Sequence, residues 1–97
     1  MGDRNPSVER QRSLQRQRLR IRTIGVSFRA AVSSAHRDLE VGPAERDALI
    51  EAWRAWSLDV LARYADEVER IAREGMADEV QHLEQELASA VDTVRRA

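Results

Sequence analysis

The apolar positions of this chain recur at helical spacing almost from end to end. In the first stretch they fall at Leu14, Ile21, Ile24, Phe28, Ala31, Val32, Ala35 and Leu39. In the second they fall at Leu49, Trp53, Trp56, Val60, Leu61, Tyr64, Val68 and Ile71. In the third they fall at Val80, Leu83, Leu87, Val91 and Val94. Steps dominated by three, four and seven residues place each set along one side of a helix. Strand-like alternation and internal repeats are missing, so the pattern predicts an all-α fold, with helices over about 19–40, 43–74 and 76–96.

The breaks between stripes carry their own signals. Asn5-Pro6 reads as a helix start, with asparagine able to cap and proline suited to the first helical position. Val41-Gly42-Pro43 is the clearest boundary. Gly42 reads as the end of the first helix and the cap of the second, Pro43 suits the first turn, and Glu45 favours the exposed N–H groups there. So short a connection predicts an antiparallel hairpin. Along the second helix, Asp59/Arg63, Asp66/Arg70 and Glu69/Arg73 are spaced to pair across one turn and support a solvated face.

Gly75 poses a question of geometry. At about 100° per residue, the stripe through Trp53, Leu61, Val68 and Ile71 and the stripe through Val80, Leu83, Leu87, Val91 and Val94 are rotated by roughly 150°. A straight helix would have to bury opposite faces in its two halves. The favoured solution is a break at Gly75, with Asp78 and Gln81 spaced as a capping box for a third helix. The other solution is one long helix whose second half binds another subunit. The expected architecture is therefore a helical hairpin or three-helix bundle with a long arginine-rich first helix, forming an oligomer.

Composition fits that reading. Ala, Glu, Arg and Leu supply 48 of the 97 residues, as in long helices and coiled coils. Ninety-seven residues make one domain with a small core, or with a larger core shared between subunits. Without cysteine there is no disulfide framework and no thiolate chemistry. The sequence shows neither a signal-peptide pattern nor an apolar run near the ~20 residues of a membrane span, so the expectation is a cytoplasmic protein with no membrane partner.

Charge changes the picture most. Residues 1–37 hold nine arginines and two acids, a formal +7, whereas residues 38–97 hold seven arginines and fifteen acids, a formal −8. The formal total of −1 conceals this split. The basic half peaks in RQRSLQRQRLRIR, where Arg10, Arg12, Arg16, Arg18, Arg20 and Arg22 occur with three glutamines and no acid. Every basic residue except the two histidines is arginine, which keeps its charge and grips carboxylate or phosphate in two-pronged fashion. Because few apolar residues precede Leu19, residues 1–18 read as a basic arm on a helical domain of residues 19–97. The arm is either a projecting helix or a segment that orders on binding.

Chemistry is otherwise sparse. Glu79-Val-Gln-His82 has the Glu-x-x-His spacing of di-metal bundles, but both residues fall off the Val80/Leu83/Leu87 stripe and face outward. His36 and Glu40 form a second unsupported pair. No metal site, cofactor or glycine-rich phosphate loop is expected, and no motif places a histidine to activate Ser27, Ser33 or Ser34. The sequence points to a small non-enzymatic interaction protein, an adaptor, inhibitor or assembly component of the kind mobile elements and phages carry. Its basic helix would engage an acidic protein partner, or its own acidic half. The alternative is a nucleic-acid-binding accessory protein that contacts RNA or DNA phosphates through Arg10–Arg22. Trp53, Trp56, Tyr64, Val80, Leu83, Leu87 and Val91 are the expected interface between subunits.

Overall fold

The structure is a computed structural model that describes residues 6–97. It contains three α-helices: α1 over Pro6–Arg37, α2 over Pro43–Ile71 and α3 over Gln81–Arg96. A π-helical turn, Ala72–Met76, links the last two. Among the described residues there is no strand.

Helix α1 is continuous through residue 18. Residues 8–12 are exposed, and burial begins around Leu14, which packs against the core. The capping role expected of Asn5 lies outside the described residues. The helix ends at Arg37, earlier than the glycine signal suggested. There the Asp38 and Val41 amides donate to the Ala35 and Asp38 carbonyls, and Asp38 Oδ1 accepts the Glu40 amide at 3.0 Å. Such side-chain competition for backbone donors is how aspartate stops a helix. Gly42 is the N-cap of α2, with φ −68° and ψ 156°, and Pro43 opens the helix. That extended backbone is what a following proline favours.

At Gly75 the chain breaks, as the rotated stripes favoured. Its φ of 95° is the only positive value among the described residues, a conformation that a Cβ would strain. The Asp78/Gln81 capping box is not formed. The N-cap of α3 is Val80, without a side-chain cap. Burial sets this start instead, because Val80 is fully buried and its amide and carbonyl bond Met76 and Glu84.

The turn brings α3 back against both other helices, running alongside α1 in the same direction. Ile21 and Phe28 of α1, Ile50, Leu61 and Val68 of α2, and Val80, Leu83, Leu87 and Val94 of α3 share one core. Gly25 permits the close approach of α1 and α3, since a Cβ there would lie 3.4 Å from the Ala90 backbone. The stripe after Gly75 thus lies inside its own chain. Val80, Leu83 and Leu87 are buried and Val91 is half-buried, so pairing subunits through the first three would require opening the bundle.

Candidate functional site

The arginines of α1 divide by direction. Arg18 and Arg22 turn toward α3, where Glu86 receives both, at 3.4 Å from Arg18 Nε and 2.9 Å from Arg22 Nη2. The Glu86 side chain is 14% exposed, so this carboxylate is well shielded and anchors the base of the arm. Self-pairing of the basic half therefore exists, but among the described residues it takes up Arg18 and Arg22 alone. Arg10, Arg12, Arg16, Arg20 and Arg29 are exposed, and none of them pairs with a carboxylate of α2 or α3.

The outer face of α1 is mixed rather than purely cationic. Val8, Leu19 and Val26 are 41%, 48% and 61% exposed. At about 100° per residue they share one direction within roughly 20°. Arg12 and Arg16 border that line on one side and Arg29 on the other. Arginine guanidinium groups thus frame an apolar ridge that the bundle does not cover.

A second surface lies between α1 and α2, away from α3. Thr23, Ile24, Ser27, Phe28, Ala31, Trp53, Trp56 and Ser57 line a groove of about 340 Å³. Phe28 and Ser57 are buried at its floor, Trp53 is half-buried, and Trp56 is 65% exposed on its lip. Tyr64 is half-buried. Small side chains on α1 opposite bulky indoles on α2 leave this space.

Two structural residues carry no signal in the sequence. Arg54 reaches from α2 to the end of α3, where Nη1 donates to the Val94 and Arg95 carbonyls and Nη2 to the Ala97 carbonyl at 3.5 Å. It satisfies carbonyls that a helix end leaves unpaired, and its guanidinium lies 5.4 Å from the Phe28 ring centre. Glu86 is the other. Nothing in local spacing distinguishes either from the surface charges around it.

On the solvated face of α2, Arg63 pairs with Asp59 and Arg73 with Glu69, as expected. Arg70 instead engages Glu67 and Glu74 rather than Asp66. The hydrogen bond from Arg70 outweighs the desolvation that opposes it and, with the help of the Arg70 charge, holds the Glu67 carboxyl below its usual range. The same contact raises Arg70, with Glu74 adding to it. Glu79 and His82 are both exposed, beside Leu14 and Arg18. Among the described residues no group of three His, Cys, Asp or Glu side chains could hold a metal ion, and no helix is long and apolar enough to cross a membrane.

No family model, no curated protein and no solved structure matches this chain. Its surfaces therefore carry the functional argument alone.

Proposed function

We propose that this chain is a non-enzymatic helical interaction module that docks on an acidic protein surface through the outer face of α1. The observation that carries the reading is the mixed character of that face. Arg12, Arg16 and Arg29 have no carboxylate partner on α2 or α3, while Leu19 and Val26 stand exposed between them. A helix that offers an apolar line with charged borders suits a groove that is apolar at its floor and acidic at its rim. Phosphate backbones reward the arginines but offer little to Leu19 and Val26. An adaptor or inhibitor needs no more equipment than this. The nucleic-acid reading draws on the same uncompensated arginines and makes the opposite prediction for the two apolar residues.

One titration separates them. Labelled RNA, labelled DNA and a labelled amphipathic acidic helical peptide are each titrated with full-length protein at low and physiological salt, with anisotropy as readout. Peptide binding that survives physiological salt and falls at least about tenfold in Leu19→Glu/Val26→Glu supports docking on a protein. Tight RNA or DNA binding that is indifferent to those two substitutions, and weakens with salt and in Arg12→Gln/Arg16→Gln/Arg29→Gln, overturns it for the nucleic-acid reading. Peptide binding indifferent to both sets of substitutions overturns it as well.

A further inference from the structure

The α1–α2 groove is short. On α1 its wall runs from Thr23 to Ala31, and on α2 from Trp53 to Ser57. At about 1.5 Å per residue the walls are about 12 Å and about 6 Å long. A docked helix anchored at i, i+4 and i+7 needs a trough of at least about 10 Å walled on both sides. The space of about 340 Å³ instead falls at the lower end of small-molecule sites. Residue size creates it, because Thr23, Ser27 and Ala31 recur every fourth residue on α1 opposite the indoles of α2.

One group in the groove lacks what its burial demands. Ser57 is only 4% exposed. A hydroxyl within a helix commonly donates to the carbonyl four residues back, as Thr23 does to Leu19 at 2.8 Å and Thr93 to Ser89 at 3.0 Å. The Ser57 hydroxyl makes no hydrogen bond to any described residue, although burying an unmatched hydroxyl costs stability. It lines the groove together with Phe28, Trp53 and Trp56. No charged side chain is among the described residues that line this space, so a charged ligand would leave water there without compensation.

We propose that this groove binds a small, flat, uncharged aromatic molecule of two fused rings that carries one hydroxyl or amino group. The rings lie against Trp53 and Trp56, where offset and edge-on aromatic contacts add to burial. The polar group meets the Ser57 hydroxyl, which fixes the orientation of the rings. Trp56, 65% exposed on the lip, covers the outer face of the ligand. Leu19 and Val26 lie outside this lining, so ligand binding and docking on an acidic partner are separate properties.

β-Naphthol and naphthalene are titrated into full-length protein at neutral pH. The indole N–H signals of Trp53 and Trp56, the chain's two tryptophans, are followed by nitrogen–proton NMR. β-Naphthol is expected to shift both signals saturably, with a dissociation constant on the order of 0.1 mM for a molecule of this size. Trp56→Ala, at an exposed position, is expected to weaken binding at least about fivefold, read on the Trp53 signal. Ser57→Ala is expected to reduce the preference for β-naphthol over naphthalene by about fivefold, within the range of one neutral hydrogen bond. Circular dichroism verifies that both variants keep their helix content. No saturable shift up to the solubility limit of β-naphthol overturns the site. So does binding indifferent to Trp56→Ala, or a preference indifferent to Ser57→Ala. Tighter binding of N-acetyltryptophanamide than of β-naphthol overturns it in favour of a protein side chain. Naphthol affinity that falls as protein concentration rises overturns it in favour of a second copy. None of these outcomes bears on peptide binding by Leu19 and Val26, which is measured separately.

Discussion

Arg54 shows how one side chain can hold two elements together. It closes the end of α3 through carbonyl hydrogen bonds and covers the face of Phe28. Hydrogen bonds from a charged donor are worth roughly 1.5–3 kcal/mol net, so Arg54→Ala is expected to lower unfolding free energy by about 2 kcal/mol. Arg54→Lys, which lacks the fork, should recover less than half. Denaturant titration of the three proteins measures both; equal stability of wild type and Arg54→Ala would show that Arg54 does not tie α2 to α3. Gly25 makes the opposite demand. Alanine there meets Ala90 at ordinary contact distance and gains up to about 1 kcal/mol of helix propensity. Gly25→Leu must push α3 away and should lose about 2 kcal/mol or more. Thermal melts of the pair would show the sign change.

Along the elements, the decisive points are the turn at Gly75 and the charge ladder just before it. Gly75→Ala places a Cβ on a backbone with φ near 95° and should destabilise by about 1 kcal/mol, with α3 affected first. Hydrogen exchange would detect faster opening of residues 81–96 than of α1. The Arg70 contact makes a prediction in pH. Because the Glu67 carboxyl is lowered in the folded chain, its contribution is complete above the ordinary carboxylate value. It is lost as pH falls through the lowered one. Replacing Arg70 with glutamine should return Glu67 to the ordinary carboxylate range in an NMR titration. An unchanged Glu67 midpoint would mean that the contact does not persist in solution.

For the molecule as a whole, the question is where the arm ends and the bundle begins. Residues 8–12 are exposed, whereas Leu14 packs on the core and Arg18 holds Glu86. Removal of residues 1–12 is therefore expected to leave the melting temperature within a few degrees of wild type. Removal of residues 1–18 should lower it clearly, by about 5 °C or more, since losses of 1–2 kcal/mol shift a domain of this size by that much. Differential scanning calorimetry distinguishes the two. Equal melting of both truncations would show that the packed part of α1 begins beyond Arg18.

Periodicity made the three helices legible, and the roughly 150° rotation between stripes pointed to Gly75 as a break. The charge split was equally plain. These features are readable because helix formation and stripe position depend on residues three and four apart. The contents of the arm were legible too, but not its division into Arg18 and Arg22, which Glu86 neutralises, and Arg12, Arg16 and Arg29, which frame an exposed apolar ridge. The fate of Val80, Leu83 and Leu87 was likewise open, since a stripe looks the same whether its own chain or another covers it. Glu86 and Arg54 act across 64 and 40 residues of sequence. Local spacing carries no trace of contacts that exist only once α3 has folded back. The sequence alone determined which face each helix turns inward, although Trp56 and Leu39, both on those stripes, stay exposed; the tertiary structure decided against what each face packs, because a stripe is a property of one helix and partnership a property of two.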